Sequence, residues 1–250
     1  MKHSTNYYRY TPLQTGTKSH RKYRSLIAIG ADSNGNPHKR NRMTPLHIAA
    51  KSGTLPVVRA LVANGADVNA VNRYGETPLM YACENKKLAM VRYLTARWAD
   101  VNAVADYSGT PLKCAISWHT QQYRKDPRYT RTNSARMMRW LISKGADVNA
   151  TDVPALVVAT NRRNIAAVHV LLEAGANINA RGTAGTGRTA LMCAASRGYT
   201  AIVRMLLDHG ADPNITTPNG HTALSLAQRR KRDDDVVSML ESHPSQTIRG

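Results

Sequence analysis

Phenylalanine is missing altogether from the 250 residues, so any core has to be assembled from Leu, Val, Ile, Ala and Met, a set that favours helices packed through small side chains. Acid is scarce as well: 16 Asp and Glu stand against 35 Lys and Arg, a formal net charge of +19. A chain so charged is drawn to acidic proteins, nucleic acid or anionic lipid, and charge alone does not choose among them. The imbalance is sharp before Met43, where Lys18, Arg21, Lys22, Arg24, Lys39, Arg40 and Arg42 meet a single acid, Asp32. Long apolar runs are missing too. Nothing approaches the roughly 18 to 20 residues of a membrane span, and the opening MKHSTNYYRY has no apolar core of a secretory signal. The expectation is a soluble, cytoplasmic protein with no membrane partner. Cysteine is limited to Cys83, Cys114 and Cys193, too few and too scattered for a disulfide framework or a zinc site, which leaves buried, reduced thiols as the reading.

What the chain has is repetition. Thr44-Pro45-Leu46-His47-Ile48-Ala49-Ala50 recurs as Thr77-Pro78-Leu79-Met80-Tyr81-Ala82-Cys83 and as Thr110-Pro111-Leu112-Lys113-Cys114-Ala115-Ile116, at a step of 33 residues. Looser copies begin at Pro154, Thr189 and Thr222, and Thr11-Pro12-Leu13 lies one step before Thr44, which makes seven units. A second signature follows the first at a fixed distance, except where an insert lengthens one unit: Gly65-Ala66-Asp67-Val68-Asn69-Ala70, then Gly145 to Ala150, Gly175 to Ala180 and Gly210 to Asn214, with Trp98 in the glycine position of one copy. Thr44 can cap a helix whose first turn starts at Pro45, a residue with no amide hydrogen to leave unpaired. Leu46 and Ala49 then share a face. The stripe of Val57, Val58, Leu61 and Val62 has the spacing of an antiparallel partner helix, ended by Gly65 in the left-handed region. Residues 66–76 become an extended finger with a turn at Tyr74-Gly75.

These two motifs resemble the ankyrin-repeat family, whose units read T-P-L-H-x-A…G-A-D-V-N-A over 33 residues. The resemblance covers nearly the whole chain and implies an all-α solenoid of about seven helix-turn-helix units with extended finger loops. Residues 1–10 then form a tail, 11–43 a degenerate capping repeat with a helix at Tyr23 to Ile29, 44–221 five repeats, 222–243 a C-terminal capping repeat and 244–250 a second tail. One unit cannot bury its apolar face alone, so neighbours must stack and the ends must be capped.

Three places depart from the pattern. An insert at about 120–133 falls between the two helices of the fourth unit and interleaves Tyr123 and Tyr129 with Arg124, Lys125, Arg128 and Arg131, so it reads either as a contact loop or as a plain surface loop. The finger after Ala150 is short, and the one from Arg181 to Arg188 is long and rich in glycine.

The resemblance also implies where a partner sits: on a concave surface made of finger tips and of the two residues ending each first helix. Mapped here, the helix-end residues are Lys51 and Ser52, Glu84 and Asn85, Ser117 and Trp118, Asn161 and Arg162, Ser196 and Arg197, and Arg229 and Arg230. The fingers contribute Arg73, Tyr74, Glu76, Asp106, Tyr107, Arg181, Arg188, Asn219 and His221. The acids gather in the N-terminal half of this map and the C-terminal half is strongly positive. The partner-binding candidates are therefore Lys51, Arg73, Tyr74, Tyr107, Trp118, Tyr123, Arg124, Arg128, Arg162, Arg181, Arg188, Arg197, Arg229 and Arg230, since exposed Tyr, Trp and Arg most often dominate binding energy. A second row, Arg59, Arg92, Arg139, His169 and Arg204, recurs on the outer side of the second helices and reads as a solvated face.

Catalytic chemistry finds no support. The glycines from Gly182 to Gly187 lie in a finger rather than between a strand and a helix, and no histidine or cysteine has a triad context. The expectation is a non-enzymatic binding module, monomeric when unbound, without cofactor or metal. Its partner is an acidic protein, or alternatively RNA, DNA or an oligonucleotide on the same basic, aromatic-containing face.

Overall fold

A computed structural model describes residues 32–35, 41–116, 127–150, 153–182, 187–229 and 234–242, with the side chains of 127–132 and 234 excepted. The helix expected at Tyr23 to Ile29 lies outside them. In chain order, the described first and second helices of the repeats are α1 (Pro45–Ser52) and α2 (Leu55–Ala63), α3 (Pro78–Glu84) and α4 (Leu88–Thr95), α5 (Pro111–Ile116) and α6 (Pro127–Ser143), α7 (Ala155–Asn161) and α8 (Ile165–Glu173), α9 (Ala190–Ala195) and α10 (Thr200–Asp208), α11 (Ala223–Gln228) and α12 (Asp234–Glu241). Among the described residues there is no strand, only an isolated bridge between Ala105 and Gly109. The fold is an all-α solenoid of helix-turn-helix units with extended fingers.

The repeated sequence positions fill repeated places. Leu46, Leu79, Leu112, Leu156 and Leu191 are buried in successive first helices, and Ala49, Ala82, Ala115, Ala159, Ala194 and Ala227 are buried three residues on, one turn along the same face. The first five second helices bury apolar residues at i, i+1 and i+4: Val57, Val58 and Leu61, then Met90, Val91 and Leu94, and so through Ile202, Val203 and Leu206. Such small, shape-matched side chains explain how a core forms without phenylalanine.

The first helices open as the Thr-Pro motif requires. Thr77, Thr189 and Thr222 each accept a hydrogen bond from the backbone N–H three residues on. His47 does more. Its Nε2 lies 2.9 Å from the Glu76 carbonyl, which can only accept, so the proton sits on Nε2 and Nδ1 accepts from the Thr44 N–H at 3.1 Å. That places one neutral imidazole between the start of α1 and the base of the next finger.

The chain divides into two compact units, residues 1–125 with 143–146 and residues 126–142 with 147–250. Within each, the second sequence signature acts as a joint. In the first unit the Asn34 side chain donates to the Gly65 carbonyl at 2.9 Å and accepts from the Asp67 N–H at 2.8 Å. Asn69 repeats both bonds with Trp98 and Asp100, and Asn102 donates to the Gly145 carbonyl. In the second, Asn149 bonds Gly175 and Asn177, and Asn179 accepts from Asp212. The left-handed residue that ends each of the first five second helices is Gly65 (φ 79°), Gly145 (87°), Gly175 (76°) or Gly210 (83°), with Trp98 in the same region at 65°.

The insert departs from the sequence reading. Its second half is not a loop between helices: α6 begins at Pro127 and runs 17 residues, about twice the length of the other second helices. Proline suits a first helical position, and no glycine or further proline interrupts the chain before Ser143.

Candidate binding surface

In the second unit, three arginines stand at the ends of three successive first helices, Arg162 and Arg197 six residues after Leu156 and Leu191, and Arg229 five after Leu224. Arg162 follows the last residue of α7 as its C-cap, Arg197 lies just past α9, and Arg229 caps α11. The helix α9 packs against both α7 and α11, so the three arginine-bearing helices are neighbours. A cation at a helix C-terminus is favoured by the exposed carbonyls, typically by about 0.3–1 kcal/mol, so part of their role is local. Arg197 shows this directly, donating to the Cys193 carbonyl at 3.3 Å. Arg229 lies 3.4 Å from His221 of its own finger, and Arg188 donates to Ser196 at 3.4 Å. Arg181 is exposed. Among the described residues none of these five has a carboxylate partner.

The first unit is different in chemistry. Tyr74 and Tyr107, one step apart on adjacent fingers, meet edge to face with ring centroids 6.1 Å apart, and Tyr107 is 85% exposed. Val71 and Val104, also one step apart, are more than half exposed beside them. The fingers are held rigidly: the Asp106 N–H donates to the Tyr74 carbonyl, and the Asn72 carboxamide accepts from the N–H groups of Tyr74 and Glu76. Arg73 is exposed on the same finger. Lys51, at the end of α1, lies over the Tyr81 ring at 5.6 Å.

Two positions expected to be available are not. The Glu76 carboxylate accepts from Tyr81 at 2.6 Å, from Asn72 at 2.8 Å and from Ser108. Burial would raise its pKa, but these bonds outweigh that and hold the carboxyl below its usual range. Asn85 is buried, its side chain donating to the Tyr81 carbonyl. Of the remaining candidates, Trp118, Tyr123, Arg124 and Arg230 lie outside the described residues, and Arg128 falls within α6 with its side chain outside them. The thiols of Cys83, Cys114 and Cys193 are buried, and burial pushes Cys114 up to about 12, far from a reactive thiolate.

Other residues emerge only in three dimensions. Lys86 and Arg163 share a repeat position and the left-handed region, at φ 56° and 51°, but point differently. Lys86 is buried and donates across repeats to the Ala115 carbonyl at 2.6 Å, while Arg163 is exposed over the Tyr199 ring at 5.5 Å. Trp98 is 89% exposed in a backbone conformation that costs a side-chain-bearing residue about 1–2 kcal/mol. The outer row splits as well: Arg139 and His169 in the second unit both reach Glu173, at 3.2 and 3.1 Å, whereas Arg59 in the first lies over Tyr93.

The arrangement so far defines a class: tandem helix pairs joined by fingers, with exposed cationic and aromatic side chains and no convergent catalytic groups among the described residues. A family model for ankyrin repeats matches in three copies, over residues 21–105, 46–124 and 156–248, and the chain belongs to the ankyrin-repeat family. Such a domain is a protein-protein interaction module. The chain is 37% identical over 131 residues to the probable E3 ubiquitin-protein ligase XBOS34 of Oryza sativa subsp. japonica, a match covering 50% of this chain and 25% of that protein. It is 32% identical over 114 residues to the B-cell lymphoma 3 protein homolog of Mus musculus, covering 44% of this chain and 24% of that one. The chain thus spans about a quarter of the length of these curated relatives. Among solved structures, it resembles the ankyrin repeat domain of Bcl-3, with TM-score 0.73, 27% identity and 93% and 98% of the two chains covered. It also resembles the human ASB11 ankyrin repeat domain, with TM-score 0.76, 25% identity and 94% and 100% covered.

Proposed function

We propose that the chain is a non-enzymatic adaptor or inhibitor that binds an acidic protein partner through the basic face of its second unit, and that it acts in the cytoplasm. The observation that carries this reading is the recurrence of an arginine at the C-terminal end of three packed first helices, Arg162, Arg197 and Arg229, without carboxylate partners among the described residues. Guanidinium groups on neighbouring helix ends can take carboxylates by paired, charge-assisted hydrogen bonds, and the net charge of +19 speeds the encounter. The rigid Tyr74–Tyr107 pair of the first unit offers an aromatic contact that loses little freedom on binding.

The oligonucleotide alternative needs stacking surfaces beside those cations. Among the described residues, the rings beside cations of this unit are the half-buried Tyr199, which already carries Arg163, and the imidazole of His221, 3.4 Å from Arg229. The acidic-protein reading is therefore preferred.

The test is affinity capture from nuclease-treated lysate with wild-type protein and with Arg162, Arg197 and Arg229 all changed to Glu. The expected result is a stoichiometric acidic protein retained by the wild type, lost by the variant and unaffected by nuclease, with helical circular dichroism unchanged. Retention by the triple variant, or loss on nuclease treatment, would remove the proposal.

A further inference from the structure

We infer that Arg59, Tyr93, Arg97 and Trp98 form a second binding surface, on the outer helices of the first unit, for an acidic protein segment that carries an apolar side chain beside its carboxylates. It uses none of the residues of the face proposed above.

Two observations converge on this place. The first is electrostatic. The guanidinium of Arg59, on α2, and that of Arg97, just past α4, both lie over the single ring of Tyr93, at 5.6 and 5.3 Å from its centre. Both arginines are exposed, and among the described residues neither has a carboxylate partner. In the second unit two members of the outer row, Arg139 and His169, share the Glu173 carboxylate. The first unit instead gathers two cations around one ring, with no carboxylate paired to either among the described residues. The ring attraction orders the two guanidiniums and leaves their N–H groups to a carboxylate from outside.

The second observation is Trp98, the residue after Arg97. Its position is glycine in four other repeats, for the good reason that φ is positive there. Trp98 adopts that conformation with its indole 89% in solvent, and its recorded bonds are backbone ones: its carbonyl accepts from Asn69, and its N–H donates to the Thr95 carbonyl. Folding therefore draws nothing from the indole, although the backbone bears the strain. A large, rigid apolar surface beside two unneutralised guanidiniums is what an acidic peptide with an aliphatic or aromatic side chain would cover.

Nucleic acid also brings negative charge, but a single strand is held by stacking several successive bases. Tyr93 already carries two guanidiniums, so this surface offers one free stacking platform, and the protein segment is the better match.

The probe is a fluorescein-labelled synthetic peptide of alternating glutamate pairs and leucines, titrated by anisotropy against the full chain. Expected is saturable binding that Arg59→Gln with Arg97→Gln weakens about tenfold, as loss of charge-assisted bonds requires, and that Trp98→Gly also weakens. The melting temperature of Trp98→Gly should stay at or above that of the wild type. Binding lost only in the Arg162, Arg197 and Arg229 triple variant would overturn this surface and leave the face proposed above intact. A single-stranded thymidine oligonucleotide that responds to the Arg59 and Arg97 changes while the peptide does not would reassign the surface to nucleic acid. A clear drop in melting temperature for Trp98→Gly would make the indole structural and also overturn the inference.

Discussion

The phenol of Tyr81 donates to the Glu76 carboxylate at 2.6 Å, tying the first residue pair of a repeat, where the finger meets the helix, to the ring that packs inside it. Asn72 and Ser108 complete the shell, the latter from the next finger.

Because Glu76 is held below its ordinary 4.5 in the fold, its contribution to stability is complete above that value and is lost as pH falls through the lower folded value. Glu76→Gln should therefore destabilise the first unit at pH 7 by about 1 kcal/mol, after discounting for solvent screening, and the difference should shrink toward pH 3. Urea melts of both proteins across that range measure it. An equal difference at both pH values would show that the charge plays no part.

His47 answers to a different window. Burial lowers its pKa below the ordinary 6.5, outweighing the Glu76 carbonyl that favours the charged form. Stability is then full above the unfolded value and declines as pH falls from about 6.5 toward the folded pKa, by about 1.4 kcal/mol for each unit of depression. His47→Gln should flatten the pH dependence between pH 7.5 and 5 while lowering stability at the upper end, as differential scanning calorimetry can show.

Lys86 crosses from one repeat to the end carbonyls of α5, donating to Ala115 at 2.6 Å and Cys114 at 3.3 Å. Lys86→Ala keeps the unfavourable φ and removes the donor, and should cost about 1–3 kcal/mol. Lys86→Gly relieves the backbone but loses the same bonds, so it should recover only part of the loss in chemical denaturation. Full recovery would mean that the cross-repeat bonds contribute nothing.

Asn69→Ala removes both bonds to the Trp98 turn and should lower stability by about 1–2 kcal/mol. Asn64→Ala is its control: that side chain bonds only the Ala60 carbonyl of its own helix, in solvent, and the change should leave the melting temperature within error.

The helix pairs were legible because Thr-Pro-Leu and Gly-Ala-Asp state their own physics: a cap, a proline with no donor to lose, a buried leucine and a left-handed terminator. The same clarity extends to Trp98, whose backbone obeys the glycine position it occupies. Side-chain destinations were less legible. Lys86 and Arg163 read alike in the chain, yet one is buried and the other exposed, because Lys86 finds the end of α5 within reach across the next repeat. Glu76 looked like a finger contact and proved to be consumed by three neighbours, two of them invisible without knowing which way Tyr81 and Ser108 turn. The insert misled for a simpler reason: its polarity suggested a loop, and polarity does not prevent a helix that begins at proline and continues into Met137, Met138 and Leu141.

The asparagine joints reach only backbone atoms of the neighbouring unit, a carbonyl and an N–H. The neighbour's side chains are therefore irrelevant to the fastening, which is why the Trp98 copy and the Asn177 copy keep it although each has changed a residue of the motif. A coding segment of one period could be duplicated, deleted or exchanged and still meet a compatible edge on either side. The surface is left to diverge by recombination as well as by point substitution.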